Sequence, residues 1–149
     1  MKYVMVYWSR YGHNKKLVES LAEKLKKNGG ETQIFMTEQA NPTVLPNADV
    51  YIFSAAAEKF TLQSNMKSFL KKISGMDGKK YGIMNTHGMK KSQLAKMEKL
   101  LSQKNMEKIA EVDFQIGKNM SSGNAFLGDW EAKLDEFAKK LWYIFLYIF

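Results

Sequence analysis

The 149-residue sequence contains no cysteine, only two histidines and only two prolines. Without cysteine the chain cannot form disulfide bonds, thiolate metal sites, iron–sulfur ligation or a cysteine nucleophile. The two histidines, His13 and His87, are too few for a typical zinc site, so we expect no bound metal. The longest apolar run, residues 141–149, is far short of the ~20 residues with which a helix spans a bilayer.

The two ends of the chain carry little targeting information. Met1 and Lys2 lead into a short apolar segment without a small-residue cleavage site behind it, which is not the pattern of a signal peptide. We therefore expect a cytoplasmic protein. The apolar tail, residues 141–149, leaves several interpretations open: the buried end of a last helix, a membrane-surface contact, a dimerisation patch or a non-native tail.

The composition is typical of one globular domain, which we expect to span residues 1–149. Apolar residues make up 45% of the chain and charged residues 26%. The net charge is +8, and the basic excess is concentrated in residues 61–110, which hold eleven lysines against three acidic residues. Such an excess favours anionic partners such as phosphate esters, nucleic acid or an acidic protein, although solvated helix faces are the simpler explanation.

Short apolar segments alternate with amphipathic segments along the chain. The apolar segments are rich in β-formers and predict strands at residues 2–8, 32–37, 48–54, 80–85 and 111–117. The amphipathic segments predict helices at residues 15–28, 62–73, 92–103 and from 129 onward. This alternation predicts an α/β protein with a parallel sheet and helices on both faces. Ligands bind such sheets beyond the carboxyl ends of the strands, which directs attention to three loops.

The first of these loops, Ser9–Asn14, connects the first strand to the first helix. Gly12 permits a tight turn, and Asn14 is predicted to be the N-cap of the helix. Unpaired backbone N–H groups and the helix dipole make such a turn suitable for binding a phosphate. Ser9 offers a hydroxyl, Asn14 an amide and Arg10 a positive charge. A turn that needs only a glycine and a cap explains the same residues.

The other two loops follow the third and fourth predicted strands. Residues 54–61 (SAAAEKFT) hold three alanines that would let a flat ligand approach the backbone, followed by Phe60 as a ring contact. Residues 85–89 (NTHGM) gather an amide, a hydroxyl, an imidazole and a glycine. Both loops could edge a planar heterocycle whose phosphate sits in the first loop. The alternatives to ligand contact are that Phe60 is a core or lid residue and that His87 is a surface residue with local hydrogen bonds.

These loops are similar to those of short-chain flavodoxins. Residues 9–14 (SRYGHN) resemble the phosphate loop of that family, Ser/Thr-x-Thr-Gly-x-Thr. Residues 65–70 (NMKSFL) resemble the helix after its flavin loop, and residues 85–88 (NTHG) resemble its Thr-x-Gly loop. The resemblance covers essentially the whole chain. It implies a flavodoxin-like three-layer sandwich, with a five-stranded parallel sheet in the order 2-1-3-4-5 and non-covalent FMN at the junction of strands one and three.

The resemblance also implies electron transfer between redox proteins, which we expect in preference to a substrate-specific enzyme with catalytic residues. The basic charge suggests acidic partners, and aromatic residues that lie mainly in predicted cores disfavour nucleic acid. The implied FMN contacts come from all three loops: Ser9, Arg10, Tyr11, Gly12, His13, Asn14, Ala55, Ala56, Ala57, Glu58, Phe60, Asn85, Thr86, His87 and Gly88.

The sequence departs from the flavodoxin pattern in its loops and its charge. Tyr11 and Asn14 stand where the family prefers threonines, residues 55–59 lack its proline and aromatic residue, and typical flavodoxins are acidic. Ring stacking would fall to Phe60, His87 or Met89. Glu58 is the only carboxylate in these loops, and its neighbour Lys59 would partly offset it. These departures motivate an alternative, a flavin-free flavodoxin-like module that binds an acidic partner or nucleic acid.

Overall fold

The computed structural model describes residues 1–88, 91–117 and 125–143. Ten regular elements occur in these ranges, and we number strands and helices separately in chain order. The strands are β1 Lys2–Tyr7, β2 Glu31–Met36, β3 Val50–Glu58, β4 Thr61–Leu62, β5 Lys80–His87 and β6 Glu107–Gln115. The helices are α1 His13–Lys27, α2 Ser64–Lys72, α3 Leu94–Ser102 and α4 Trp130–Tyr143.

Five of the strands pair in parallel, in the order β2-β1-β3-β5-β6, while β4 pairs antiparallel with β3 alone. Counting the parallel strands only, this is the predicted order 2-1-3-4-5. The three central strands are mostly buried because the sheet is covered on both faces, and their sequences are mainly apolar. The outer strands are more exposed, as edge strands are: β2 alternates exposed and half-buried positions, and only two positions of β6 are fully buried. The predicted fold class is confirmed.

A separate apolar core lies on each face of the sheet. Alternate residues of β1 enter different cores: Val4 and Val6 contact the layer of α2 and α3, whereas Tyr3 and Met5 contact the layer of α1 and α4. This is the period of two that a strand imposes on its side chains. The sheet is therefore covered on both faces, and the carboxyl ends of its strands form an edge to which the N-termini of the helices also point.

Two predicted boundaries at this edge are wrong. α1 begins at His13 with Gly12 as its N-cap residue, so Asn14 lies inside the helix and does not cap it. β3 continues through Glu58, where residues 54–61 were expected to be a loop, because its last residues pair with β4 in a tight hairpin. Residues Lys59 and Phe60 form the turn of that hairpin, both with positive φ, of 49° and 67°.

The apolar tail is described only in part. α4 extends through Tyr143, and Leu141 is fully buried against the sheet. Tyr143, at the end of the helix, is 46% exposed. Residues 144–149 lie outside the described residues, so the interpretations of the tail all stay predictions. No helix in the described ranges is both long and apolar enough to cross a membrane.

Candidate binding site at the carboxyl edge of the sheet

A small cavity of about 40 Å³ opens to solvent where β1, β3 and β5 end. Its walls include eleven of the fifteen residues predicted to contact a cofactor, together with Ile116 after β6, which the sequence did not indicate. The predicted residues that do not line it are Gly12, Ala55, Phe60 and Asn85; Met89 lies outside the described residues. The lining residues are Ser9, Arg10, Tyr11, His13, Asn14, Ala56, Ala57, Glu58, Thr86, His87, Gly88 and Ile116.

The first loop turns at Gly12, whose φ is +90°. A Cβ atom there would meet no heavy atom within 4 Å, so glycine is required by the backbone conformation and not by lack of space. α1 then begins with neither a side-chain cap nor an acidic residue in its first turn. The positive end of the α1 dipole therefore lies at this loop, where it favours an anion.

The hydroxyl of Ser9 has an unusual environment. Its Oγ is buried and has no hydrogen-bond partner among the described residues. A buried hydroxyl left unsatisfied costs about 1–3 kcal/mol, and most buried polar atoms therefore have partners. Ser9 also lines the cavity. A phosphate oxygen placed in the first loop would supply the missing partner.

Asn14 does not have the role that its position in the sequence suggested. Its side chain is 2% exposed, donates from Nδ2 to Thr86 Oγ1 at 3.0 Å and accepts at Oδ1 from Ser54 Oγ at 2.8 Å. One amide thus connects α1 to the ends of β3 and β5. Asn14 braces the three segments that form the cavity, and two of its hydrogen-bonding positions are already used.

Asn85 also serves as an internal brace. It is fully buried; its Nδ2 donates to the carbonyl of Ala55 at 2.8 Å, and its Oδ1 accepts from the backbone N–H of Gln93 at 2.8 Å. These bonds hold the end of β5 against β3 and fix the start of α3. Asn85 and Ala55 therefore lie behind the cavity wall, where they position Ala56 and Thr86.

Arg10 and Glu58 close one side of the cavity. The guanidinium donates from Nε and Nη2 to the two carboxylate oxygens, at 2.7 and 2.9 Å, and lies 5.0 Å above the ring of Trp8. The hydrogen bond to Glu58 raises the pKa of Arg10. From the sequence, Lys59 is predicted to offset part of the charge of Glu58, and Arg10 is predicted to be a mobile positive charge near a phosphate. In the structure Arg10 is instead paired with Glu58, which is 48 positions away in the sequence.

His87 is held by polar contacts on both of its ring nitrogens. Nε2 lies 2.7 Å from Asp113 Oδ2, and Nδ1 lies 3.1 Å from the carbonyl oxygen of Gly88. Asp113 lies opposite Asn85 in the register of β5 and β6, so only the pairing of these strands brings it to the site. The imidazole edge is therefore fixed in the cavity wall by a carboxylate that the sequence did not single out.

An aromatic cluster supports the side of the cavity nearest α4. The His13 ring lies edge-on to Phe126 at 5.5 Å, and Phe126 stacks on Trp130 at 5.0 Å. The ammonium of Lys16 lies 5.1 Å from the Trp130 ring. Ile116, which pairs with Phe126 in an isolated bridge, completes this wall. The site thus has a polar end at Ser9 and a more apolar end beside Ile116.

Phe60 stands apart from the cavity. It occupies the tip of the β3–β4 hairpin and is 76% exposed. A left-handed conformation is uncommon for a bulky residue and stores strain. A ring contact by Phe60 stays a prediction. Within the part of the chain that the structure describes, no group of three His, Asp or Glu side chains is placed to hold a metal ion.

Comparison with known proteins identifies the fold. No protein-family model and no curated protein matches the sequence. The structure is similar to the flavodoxin of Streptococcus pneumonia TIGR4, with a TM-score of 0.77, 17% identity, and coverage of 95% of this chain and 97% of that one. It is also similar to the two-electron reduced flavodoxin of Megasphaera elsdenii, with a TM-score of 0.74, 16% identity, and coverage of 93% and 96%.

A short-chain flavodoxin associated with a bacterial microcompartment gives a similar match, with a TM-score of 0.72, 13% identity, and coverage of 95% and 96%. The identities are low, so the likeness concerns the path of the chain and not its individual residues. The cavity nevertheless lies where such sheets bind ligands, beside the junction of the first and third strands. This chain has the flavodoxin fold.

Proposed function

We propose that the protein binds FMN non-covalently in the cavity at the carboxyl edge and carries electrons between redox proteins. The observation that carries the proposal is the buried hydroxyl of Ser9, which has no hydrogen-bond partner among the described residues and lies beside the start of α1. The hydroxyl and the positive end of the helix dipole lie at one point, and both would favour a phosphate with several acceptor oxygens.

The phosphate would be held by the first loop. The Ser9 hydroxyl and the first backbone N–H groups of α1 donate, while Gly12 sets the direction of those N–H groups through its positive φ. This arrangement does not need Arg10, which is already paired with Glu58. The amide of Asn14 keeps the loop in register with the two neighbouring strands.

The flavin ring would lie between the two remaining segments. Ala56 and Ala57 offer small side chains and backbone groups on one side, and Thr86, His87 and Gly88 offer theirs on the other. When bound, FMN supplies one- and two-electron chemistry. The contribution of this chain is to bind and orient the ring, to exclude water at the wall formed by Ile116 and His13, and to place Glu58 and His87 near its polar edges.

The test is a titration of the full chain with FMN and with riboflavin, followed by flavin fluorescence and visible absorbance. We expect FMN to bind with quenched fluorescence, and to bind at least about tenfold more tightly than riboflavin, because a charge-assisted hydrogen bond is worth about 1.5–3 kcal/mol. Equal affinities would contradict the role of the first loop. No binding of either ligand at tens of micromolar would contradict the function and favour the flavin-free binding module.

A further inference from the structure

Four lysines form a cluster on the solvent side of α2 and α3, which we call the lysine face: Lys67, Lys71, Lys96 and Lys99. The two helices pack side by side on the same core. Lys67 and Lys71 are four residues apart and Lys96 and Lys99 are three apart, so each pair points the same way from its helix. In the described ranges, the ion pairs involve none of these four ammonium groups.

The four charges lie close enough to repel one another. The pKa of Lys96 is lowered, first by partial loss of hydration and then by Lys67, Lys99 and Lys71. Lys67 and Lys96 also sit near the N-terminal ends of their helices, where a cation opposes the helix dipole, and neither helix has an acidic residue in its first turn. This arrangement of lysines is electrostatically unfavourable, and none of the ion pairs described above compensates it. Such an arrangement is typical of a surface that binds an anionic partner.

The lysine face adjoins the candidate FMN site. The backbone N–H of Gln63, the residue before α2, donates to the carbonyl of Ala56 at 2.9 Å. The backbone N–H of Gln93, the residue before α3, donates to Asn85 Oδ1 at 2.8 Å. Both helices therefore start directly behind the segments that line the cavity. A partner on the lysine face would lie beside the edge of the sheet where the flavin is proposed to bind.

We propose that the lysine face is the docking surface for an acidic redox protein, whose carboxylates pair with the four lysines. This inference rests on the proposed function, because it names the partner of the same site. A protein partner fits better than nucleic acid: among the described residues of α2 and α3 no exposed aromatic side chain is available to stack on bases. The exposed ring of Phe60, in the hairpin that leads into α2, suits an apolar contact at a protein interface.

The experiment titrates the ¹⁵N-labelled full chain with an acidic [2Fe–2S] ferredoxin as the probe, and in parallel with a single-stranded oligonucleotide. Amide shifts are mapped on the unaltered protein, and affinities are measured at about 20 and 200 mM salt, which spans weak and strong screening of surface charge. The test variant replaces the four lysines with glutamine (K67Q/K71Q/K96Q/K99Q). Its folding is checked by circular dichroism, and removal of mutual repulsion should preserve it.

The matched control removes the same total charge at the opposite edge of the sheet (K2Q/K26Q/K27Q/K140Q). Lys2 begins β1, Lys26 and Lys27 end α1, and Lys140 lies near the end of α4, so all four are remote from the cavity. None of them forms an ion pair among the residues that the structure describes.

We expect ferredoxin to shift the amide signals of α2 and α3. The test variant should bind ferredoxin at least about tenfold more weakly than the wild type, as for charge pairs placed in an interface. The affinity of the control variant should fall by less than about twofold. Equal losses in both variants, or shifts spread over the surface, would overturn the proposal. Tighter binding of the oligonucleotide on the same lysines would assign the face to nucleic acid instead. The ferredoxin titration needs no flavin. Its result can therefore be interpreted even if the protein fails to bind FMN.

Discussion

Replacing Ser9 with alanine separates what its hydroxyl costs the free protein from what it contributes to a ligand. In the free protein the Oγ atom is buried and finds no hydrogen-bond partner within the described ranges. Its removal relieves a desolvation penalty of about 1–3 kcal/mol and loses little packing, so we expect S9A to be more stable by about 1 kcal/mol. With FMN the sign reverses: loss of a hydrogen bond to a charged phosphate should weaken binding by about 10- to 100-fold.

The matched control is Ser54, a fully buried serine in the same region whose Oγ donates to Asn14 Oδ1 at 2.8 Å. S54A leaves that amide oxygen without its donor and should destabilise the free protein by about 1–3 kcal/mol. Urea unfolding and FMN titration of both variants give the two numbers. If S9A destabilises the free protein as much as S54A does, Ser9 is not an unused donor. If S9A binds FMN as tightly as the wild type, the phosphate does not contact it.

Three further substitutions test other parts of the structure. G12A places a side chain at φ +90°, which should cost about 1–2 kcal/mol in urea unfolding and also weaken FMN binding, since the N–H groups of α1 turn away. G82A puts a Cβ 2.9 Å from Phe137 and 3.1 Å from Leu141, and should cost about 1–3 kcal/mol by overpacking α4 on the sheet. Burial, followed by the charge of Asp49, raises the pKa of Tyr3 to about 12. The neutral phenol therefore adds stability that is fully present below pH ~10, the unfolded value, and is lost as the pH rises toward 12. Between pH ~8 and ~11.5, Y3F should lose about 2 kcal/mol less stability than the wild type.

Each of these substitutions has a comparison in the same chain. Gly29, at the other end of α1, also has a positive φ of 83° and open space around it, so G29A should cost similar stability and leave FMN affinity unchanged. Gly88 has no atom within 4 Å of its added Cβ and no positive φ, so G88A should change stability by less than about 0.5 kcal/mol. If the stability of Y3F and that of the wild type depend on pH in the same way, Tyr3 ionises as readily in the folded protein as in the unfolded one.

The sequence predicts the sheet well because the signal for each central strand is local. The apolar runs that became β1, β3 and β5 can be read within a few residues, and parallel pairing follows from the helices between them. The position of the cavity follows in turn, since parallel strands present their carboxyl ends at one edge. Local signals fail where the β3–β4 hairpin extends β3, because its turn, Lys59-Phe60, lacks the glycine or asparagine that marks such turns.

The side-chain partners within the site could not be predicted because they join distant parts of the sequence. Its position in the sequence suggests that Asn14 is an N-cap residue. Its side-chain amide instead forms hydrogen bonds with Ser54 and Thr86, which are 40 and 72 positions away in the sequence. Arg10 pairs with Glu58 across 48 positions, and His87 with Asp113 across 26. A single sequence gives the chemical type of each residue but not which competing partner it finds. That choice is made only after the strands align.

The partners that these residues find determine the electrostatics of the carboxyl edge. The carboxylates of Glu58 and Asp113 are engaged by Arg10 and His87, and α1, α2 and α3 all begin without an acidic residue in their first turn. The side-chain amides of Asn14 and Asn85 already donate hydrogen bonds within the protein, where they brace the loops. Among the described residues, the groups that remain at this edge are hydrogen-donating or cationic: the Ser9 hydroxyl beside the positive end of the α1 dipole in the cavity, and the lysine face next to it. Under the two proposals this edge would bind anions at two scales, a phosphate inside the cavity and an acidic protein surface outside it, because positive charge attracts both.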